Sequence, residues 1–278
     1  MRSIVSKIFI LSFFVIFVSG CATISPSGNI AALNGFEKSY IKTGRFVLTS
    51  YSRIKHAGAP VNIYIEGDGV SWVSRARLSD DPTPLEDLIL ELAVLDPAEN
   101  VAYLARPGQY SASGIPECDP SYWSGKRFSE EVIESMNEAI GKLIGKAGAS
   151  EVNLIGYSGG AAVAVLIAAR RTDVISLRTI AGNLDTDAVN RYNHVTPFKD
   201  SLNPIEEAEK IKDIPQRHFI GSNDRIIPYS IAESFVEAEG GKRGECITIV
   251  EGATHTTGWR EHWKELLLMP TKACSKQA

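Results

Sequence analysis

The run GYSGG, residues 156–160, places a serine between glycines at the junction of two different apolar patterns. Residues 152–155 have the composition of a short buried strand, and residues 161–170 have that of a helix. A serine at such a junction is often only a helix N-cap. Glycines two positions before and after Ser158 favour a sharp strand-to-helix turn instead, because a side chain at either position would clash there. The pattern therefore predicts a strained turn that exposes the Ser158 hydroxyl above the end of a sheet.

Short apolar runs alternate with helical patterns along most of the chain. This alternation predicts βαβ units, and with them an α/β fold whose mostly parallel central sheet has helices on both faces. Residues 182–215 interrupt the alternation, and we interpret them as an excursion over the sheet rather than a second domain. The predicted strands cover residues 46–52, 61–66, 101–105, 152–157, 177–181, 218–221 and 247–250. The predicted helices cover residues 85–95, 129–146, 160–170, 205–211, 228–238 and 259–268.

The N-terminus has the pattern of an export signal. Basic residues precede an apolar stretch over residues 8–18, which is too short to span a membrane comfortably. This stretch ends in Val-Ser-Gly before Cys21 and resembles the bacterial lipobox, in which cleavage leaves a cysteine that receives the lipid. A plain secretory signal with a chance cysteine is the alternative. We predict a signal peptide over residues 1–20, then a lipidated Cys21 and a flexible tether over residues 21–35.

The lipobox resemblance implies a protein anchored by lipid to the bacterial cell envelope. Ala22 stands where aspartate is associated with retention in the inner membrane, which indicates the outer membrane, with the domain facing the periplasm. The net charge is −4, and the sequence has no basic stripe with interleaved aromatic residues. Nucleic acid is therefore not a predicted partner, whereas the membrane is one through the lipid on Cys21.

Three further cysteines, Cys118, Cys246 and Cys274, would meet an oxidising compartment after export. None has the spacing of metal ligands, so the sequence predicts no metal. Cys246 opens the last predicted strand, and the final helix must run back antiparallel to it. A strand of about six residues and a helix of about twelve both span roughly 18–20 Å, which returns Cys274 toward Cys246. We predict a disulfide between Cys246 and Cys274, with Cys118 as the odd thiol.

Two further strand ends carry residues that complete a catalytic set with Ser158. Asp224 follows one apolar strand, and His255 follows the last one. A turn aspartate and a surface histidine are the alternative interpretations. The order Ser, Asp, His, with each residue just past a strand, favours a triad in which the histidine takes the serine proton and the aspartate orients the histidine. Asp185 and Asp187 follow the preceding strand and remain alternatives for the acid.

A triad of this kind needs backbone donors for the negative oxygen that forms during acyl transfer. Gly159, directly after the serine, is the first predicted donor. The second is predicted at Gly67 or Asp68, in the loop after residues 61–66, although a glycine-rich tight turn would look similar. Glu66 precedes this loop. Its carboxylate must point away, since a negative charge beside the developing oxyanion would oppose it.

The runs GYSGGAA, TIAGNLDTDAV and DSLNP resemble uncharacterised bacterial lipoproteins of the α/β-hydrolase superfamily. The resemblance covers about residues 36–270. It implies the α/β-hydrolase fold for a domain over residues 36–278, with a short polar excursion after the sixth strand of that fold. It further implies a serine-hydrolase triad, with no cofactor and no known substrate. One departure is Glu66-Gly67, where many relatives have His-Gly.

Two segments are predicted to shape the substrate pocket. The loop after residue 105 carries Tyr110, Tyr122 and Trp123, whose rings either wall an acyl site or anchor the loop to the domain. The excursion lacks the broad apolar helical face of a lipase lid. We therefore predict that the substrate is a small-molecule or soluble carboxylic ester, or a related acyl compound. A peptidase or amidase on the same triad and a catalytically silent, membrane-tethered binding module are the alternatives.

Overall fold

The computed structural model of the protein describes residues 26–111, 118–242 and 244–274. Ten strands lie within these ranges. They are β1 (Glu37–Lys42), β2 (Val47–Ile54), β3 (Val61–Ile65), β4 (Trp72–Ser74), β5 (Arg77–Leu78), β6 (Asn100–Leu104), β7 (Val152–Tyr157), β8 (Val174–Ile180), β9 (Gln216–Gly221) and β10 (Ile247–Val250). Eight of them form the central sheet in the order β1-β2-β6-β3-β7-β8-β9-β10, and β4 pairs with β5 in a separate hairpin. Within the sheet β2 is antiparallel to both neighbours, and the other pairs are parallel.

Seven α-helices and two short 3₁₀ helices lie within the same ranges. The α-helices are α1 (Pro26–Leu33), α2 (Leu88–Leu95), α3 (Glu130–Ala147), α4 (Gly159–Ala168), α5 (Thr186–Tyr192), α6 (Tyr229–Ala238) and α7 (Trp259–Leu268). The 3₁₀ helices are Pro120–Trp123 and Pro204–Ile211. Among the described residues, no helix combines the length and the apolar character that crossing a membrane requires.

The core lies on both faces of the sheet because successive side chains of a strand point to opposite faces. Ile63 of β3 and Leu154 of β7 pack in one cluster with apolar residues of α3, α4 and α6. Their chain neighbours Tyr64 and Ile155 pack in a second cluster with apolar residues of α2 and α7. The predicted mostly parallel sheet with helices on both faces is confirmed, and it holds the strand ends in one row.

The edge strand β1 and the helix α5 were not predicted, because the sequence pattern around each is weak. In β1 only Ile41 is buried, so the strand lacks the apolar alternation that marks a half-buried one. In α5 only Thr186, Val189 and Asn190 are buried, and two of these are polar. β1 is stabilised by its antiparallel pairing with the neighbouring strand β2, and α5 by contacts such as the hydrogen bond from the Thr186 N–H to the Asn203 side chain.

A correction applies to the tether predicted over residues 21–35. Residues 26–33 form α1, whose Ala31 is 1% exposed and packs with Phe36 in the cluster under α2. The Ser27 hydroxyl donates a hydrogen bond to the Asp87 carboxylate, which also attaches this helix to the domain. Small residues are typical of flexible linkers, but here the segment is helical and packs against α2. Cys21 and the predicted signal peptide lie outside the described residues.

The C-terminal segment brings Cys274 to Cys246, and the two form a disulfide with a Cα–Cα distance of 5.7 Å. After α7 the chain runs beside the start of β9, where Lys272 pairs antiparallel with Gln216. This return path is the one that the lengths of the last strand and helix predict. Cys118 is a half-buried free thiol, and burial raises its pKa to about 11.

Stability should depend on pH through Glu239, which follows α6 and is 2% exposed. Burial raises its pKa from 4.5 to about 8, against a hydrogen bond from the Gln216 amide. Between these two pKa values the native carboxyl group keeps a proton that the unfolded chain releases. The free energy of unfolding therefore falls as the pH rises. We predict that the thermal midpoint falls between about pH 5 and pH 8. The fall should be smaller in Glu239→Gln and unchanged in Glu134→Gln, an exposed site on α3. If the thermal midpoint fell equally with pH in wild type and Glu239→Gln, the pH dependence would not come from Glu239.

Candidate active site

Ser158 occupies the turn between β7 and α4 with φ 50° and ψ −119°, a conformation that costs a non-glycine residue about 1–3 kcal/mol. Close approach of other backbone atoms explains the flanking glycines. A Cβ on Gly156 would lie 2.5 Å from the Ala161 Cα, and one on Gly160 would lie 2.3 Å from the Ile65 oxygen. The strained turn predicted from GYSGG is present, and it projects the Ser158 side chain beyond the end of β7.

His255 lies in the loop between β10 and α7, with its Nε2 3.0 Å from Ser158 Oγ. Two buried side chains fix the backbone that carries it. The Tyr157 hydroxyl and the Trp259 indole N–H each donate a hydrogen bond to the His255 carbonyl, both at 3.1 Å. The imidazole is therefore held beside the serine by the rigid ends of β7 and α7.

Asp224 lies in the turn after β9, and its side chain is fully buried. One carboxylate oxygen, Oδ2, is 2.9 Å from His255 Nδ1. The other, Oδ1, accepts hydrogen bonds from the backbone N–H groups of Ile226 and Ile227, at 2.8 and 3.0 Å. Both oxygens are thus occupied, and the carboxylate has one orientation relative to the histidine.

These contacts assign the hydrogen positions of a neutral imidazole. Nδ1–H donates to Asp224, which leaves the lone pair of Nε2 to accept the hydrogen bond from the Ser158 hydroxyl. In this state His255 can take the serine proton, and the buried carboxylate can stabilise the imidazolium that results. The three predicted residues therefore meet with the geometry that nucleophilic catalysis requires.

The predicted oxyanion loop lies against the nucleophile, since a Cβ on Gly67 would be 3.4 Å from the Ser158 Cβ. Of the two alternatives for the second donor, Gly67 does not fit, because its N–H already donates to the Glu66 carboxylate at 2.8 Å. The Asp68 N–H donates to no residue in the described part of the chain. Gly159 begins α4, and the first N–H groups of a helix have no acceptor within it. Asp68 and Gly159 are the two candidate donors.

Glu66 is 3% exposed, and it turns its carboxylate toward β6 rather than toward the serine. The Tyr103 hydroxyl donates to it at 2.9 Å, in addition to the hydrogen bond from Gly67. Burial raises the pKa of Glu66 to about 7, and these two hydrogen bonds oppose the increase. Its side chain therefore supports the base of the oxyanion loop without facing the site where an oxyanion would form.

No family model and no curated protein matches this sequence. Solved structures match its fold. An alpha-beta serine hydrolase homologue from Coxiella burnetii is similar with a TM-score of 0.55 at 14% identity, over 83% of this chain and 93% of that chain. An esterase from Pyrococcus furiosus has a TM-score of 0.59 at 13% identity, over 84% of this chain and 88% of that chain. The chain has the α/β-hydrolase fold.

A puromycin-hydrolyzing peptidase from Mycobacterium tuberculosis shares this fold with a TM-score of 0.58 at 15% identity, over 85% of this chain and 39% of that chain. At identities this low, the structural similarity shows only that the strands and helices are arranged in the same way. In the α/β-hydrolase fold the carboxyl ends of the parallel strands share one edge of the sheet. That edge is where β7, β9 and β10 deliver the serine, the aspartate and the histidine.

The alternative acids lie elsewhere in the hydrolase fold. Asp185 caps the N-terminus of α5 by accepting a hydrogen bond from the Ala188 N–H, and Asp187 belongs to the first turn of the same helix. His218 is fully buried, with its Nδ1 2.9 Å from the Thr179 hydroxyl, and burial lowers its pKa to about 3. Asp185 and His218 have structural roles, and Asp224 alone of the three candidate acids contacts His255.

The aromatic residues of the loop after β6 anchor it to the domain. Tyr110 donates to the Asp87 carboxylate at 3.1 Å, and Tyr122 donates to Glu131 at 2.7 Å. The Trp123 indole donates to a backbone carbonyl at 3.1 Å. These hydrogen bonds favour the anchoring interpretation over the acyl-wall interpretation for all three rings. Residues 112–117 of the loop lie outside the described residues.

The sequence analysis missed two residues beside the predicted oxyanion loop. Arg106 and Arg127 each form an ion pair with the Asp68 carboxylate. Arg106 lies two residues after β6, at the same sheet edge as the other candidates, and this position is a signal that could have indicated it. Arg127 lies in the turn before α3, far from any strand end, and its sequence neighbourhood carries no comparable signal.

Proposed function

We propose that the protein is a serine hydrolase that cleaves an acyl bond through an acyl-enzyme on Ser158. The observation that carries this proposal is the relay from Ser158 Oγ to His255 Nε2 and from Nδ1 to Asp224, with distances of 3.0 and 2.9 Å. Ser158 Oγ attacks the carbonyl carbon while His255 accepts its proton. His255 then gives the proton to the leaving group as the carbonyl–leaving group bond breaks. Water, deprotonated by His255, cleaves the acyl-enzyme in the same way.

We further propose that the substrate is a carboxylic ester of a small or soluble compound. The excursion after β8 supports this choice. Its 3₁₀ helix, Pro204–Ile211, packs against α4 and α6 with Ala208 and Ile211 buried, so it belongs to the helical layer rather than to a movable cover. The other helix of the excursion, α5, has only seven residues. Neither has the broad exposed apolar face that a cover for an interfacial lipase needs.

A fluorophosphonate probe followed by a substrate panel tests this function. We expect one probe molecule per chain, on the peptide that contains Ser158. In the panel, p-nitrophenyl acetate and butyrate should be hydrolysed at least about ten times faster than p-nitrophenyl palmitate and a matched anilide. Faster hydrolysis of the anilide would favour an amidase or peptidase. The absence of labelling and of turnover would favour a binding module.

We also propose that Cys21 carries lipid and attaches the domain to the cell envelope, on the outer membrane. The support is the apolar run that ends at Val-Ser-Gly-Cys. Two or three acyl chains bind a membrane far more durably than one. The wild-type protein should therefore stay in the membrane pellet after a salt wash, while Cys21→Ser should be released. A Cys21→Ser protein that stays in the washed pellet would contradict the proposal.

A further inference from the structure

Asp68 belongs to the predicted oxyanion loop after β3, and its carboxylate lies between two arginines from other segments. Its Oδ1 is 3.0 Å from Arg106 Nη1, and its Oδ2 is 2.5 Å from Arg127 Nη1. The side chains of Arg106, Arg127 and Asp68 are 5%, 9% and 22% exposed, respectively. Arg106 also donates to the Arg127 carbonyl, which ties the two arginines together. We call these three side chains the Asp68 clamp.

The clamp touches the residue that follows the nucleophile. A Cβ on Gly159 would lie 2.1 Å from Asp68 Oδ1 and 3.1 Å from Arg106 Nη1. The Asp68 carboxylate therefore occupies the space of a side chain at position 159, which requires glycine there. Gly159 supplies one candidate oxyanion donor, and Asp68 supplies the other, so the clamp lies beside both.

Other contacts fix the remaining polar groups of the loop. The Asp68 carbonyl accepts a hydrogen bond from the Ser71 hydroxyl at 2.8 Å, and the Gly67 carbonyl accepts one from the Gln109 amide at 2.9 Å. The Gly67 N–H donates to Glu66. The Asp68 N–H differs from these neighbouring groups, because it has no hydrogen-bond acceptor among the described residues.

The clamp contains two positive charges and one negative charge. Burial opposes the charge on Asp68, but Arg127 and Arg106 outweigh it and hold the pKa of Asp68 below its usual range. The carboxyl group is therefore ionised, and the clamp has one surplus positive charge. Water is largely excluded around both guanidinium groups, so this charge acts on a nearby anion more strongly than it would in water.

We propose that Arg106 and Arg127 are positioning residues for the oxyanion hole. By holding the Asp68 carboxylate they fix the Asp68 N–H as the second oxyanion donor, and they offset the negative charge that this carboxylate would otherwise place beside the tetrahedral oxygen. The inference rests on the proposed acyl transfer at Ser158. It goes beyond that proposal, because neither arginine belongs to the triad and neither is itself a backbone donor.

Substitutions at the two arginines test the inference. We expect Arg106→Met and Arg127→Met each to lower kcat about 10- to 100-fold with KM changed less than about threefold, since loss of an oxyanion donor acts on the transition state. A trifluoromethyl ketone, which forms a tetrahedral oxyanion on the serine, should lose affinity by a similar factor. Arg106→Lys and Arg127→Lys keep the positive charge but lose the planar guanidinium group. Their kcat and ketone affinity should lie between those of wild type and the methionine variants.

Arg171→Met is the matched control. Arg171 makes a two-point ion pair with Asp173 at the start of β8, the opposite end of the sheet from Ser158, at 2.8 and 2.5 Å. Its loss should lower the thermal midpoint and leave kcat and the ketone affinity unchanged. If the methionine variants do not fold, the lysine variants give the comparison.

Folded variants at Arg106 and Arg127 with wild-type kcat would overturn the inference. A lower kcat with unchanged affinity for the ketone would also overturn it, because that pattern indicates a role outside the oxyanion hole. An active wild type with unaffected arginine variants refutes this inference alone. An inactive wild type refutes the proposed function and the inference together.

Discussion

Ser158→Ala should lower kcat by about 10⁴-fold or more, because the variant has no oxygen that can form the acyl-enzyme. His255→Ala should cause a loss of similar size, since the serine hydroxyl at 3.0 Å would then have no base. Nucleophile and base act as a unit, so the double variant should be no worse than either single variant. Initial rates with the best ester of the panel, and titration of the active site with a fluorophosphonate, measure these effects.

Ser230→Ala is the control for this prediction, because Ser230 is an exposed serine on α6. It should keep wild-type kcat and the full extent of labelling. Full esterase activity in Ser158→Ala would end the assignment of the nucleophile. A label on any other residue of the wild-type protein would do the same.

Asp224→Asn should lower kcat about 10³- to 10⁴-fold while the protein stays folded. The backbone decides how the asparagine is oriented. Two N–H groups, of Ile226 and Ile227, require an acceptor at Oδ1, so the amide NH₂ must face His255. An NH₂ group there donates to Nδ1, which moves the imidazole proton to Nε2. His255 would then present a proton, rather than a lone pair, to the Ser158 hydroxyl.

Asp185→Asn serves as the comparison, since Asp185 is the alternative acid and instead caps α5. We expect it to change kcat less than about threefold, because no catalytic group depends on it. Steady-state kinetics of both variants, with circular dichroism to verify folding, give the answer. If kcat fell strongly in Asp185→Asn and only slightly in Asp224→Asn, Asp185 rather than Asp224 would be the acid that orients His255.

The strained turn at Ser158 and the contact of His255 with Ser158 and Asp224 could be predicted because each residue carries a local signal in the sequence. Gly156 and Gly160 are required by contacts closer than 3 Å, and such contacts leave a direct trace in the sequence. Asp224 and His255 each follow a strand whose apolar pattern is visible. In a parallel sheet the strand ends meet at one edge, so their order along the chain was enough to predict their proximity.

The errors occurred where the outcome depended on side chains from distant segments. Gly67 and Asp68 are equivalent by sequence as oxyanion donors. The choice between them follows from the Glu66 carboxylate, which is held by Tyr103 on β6 and captures the Gly67 N–H. The helix α1 has the composition of a linker, and its burial against α2 is a contact across more than fifty residues. Local patterns carry no information about contacts of this range.

The Asp68 clamp shows the same division between local and long-range information. Its members lie in the loop after β3, in the loop after β6 and in the turn before α3, and nothing in the sequence indicates that the three side chains contact one another. Folding brings them within 3.0 Å of one another and excludes water from both arginines. Short motifs in the sequence thus predict the contact between Ser158 and His255. The ion pairs of the Asp68 clamp form only when the sheet and its loops are assembled.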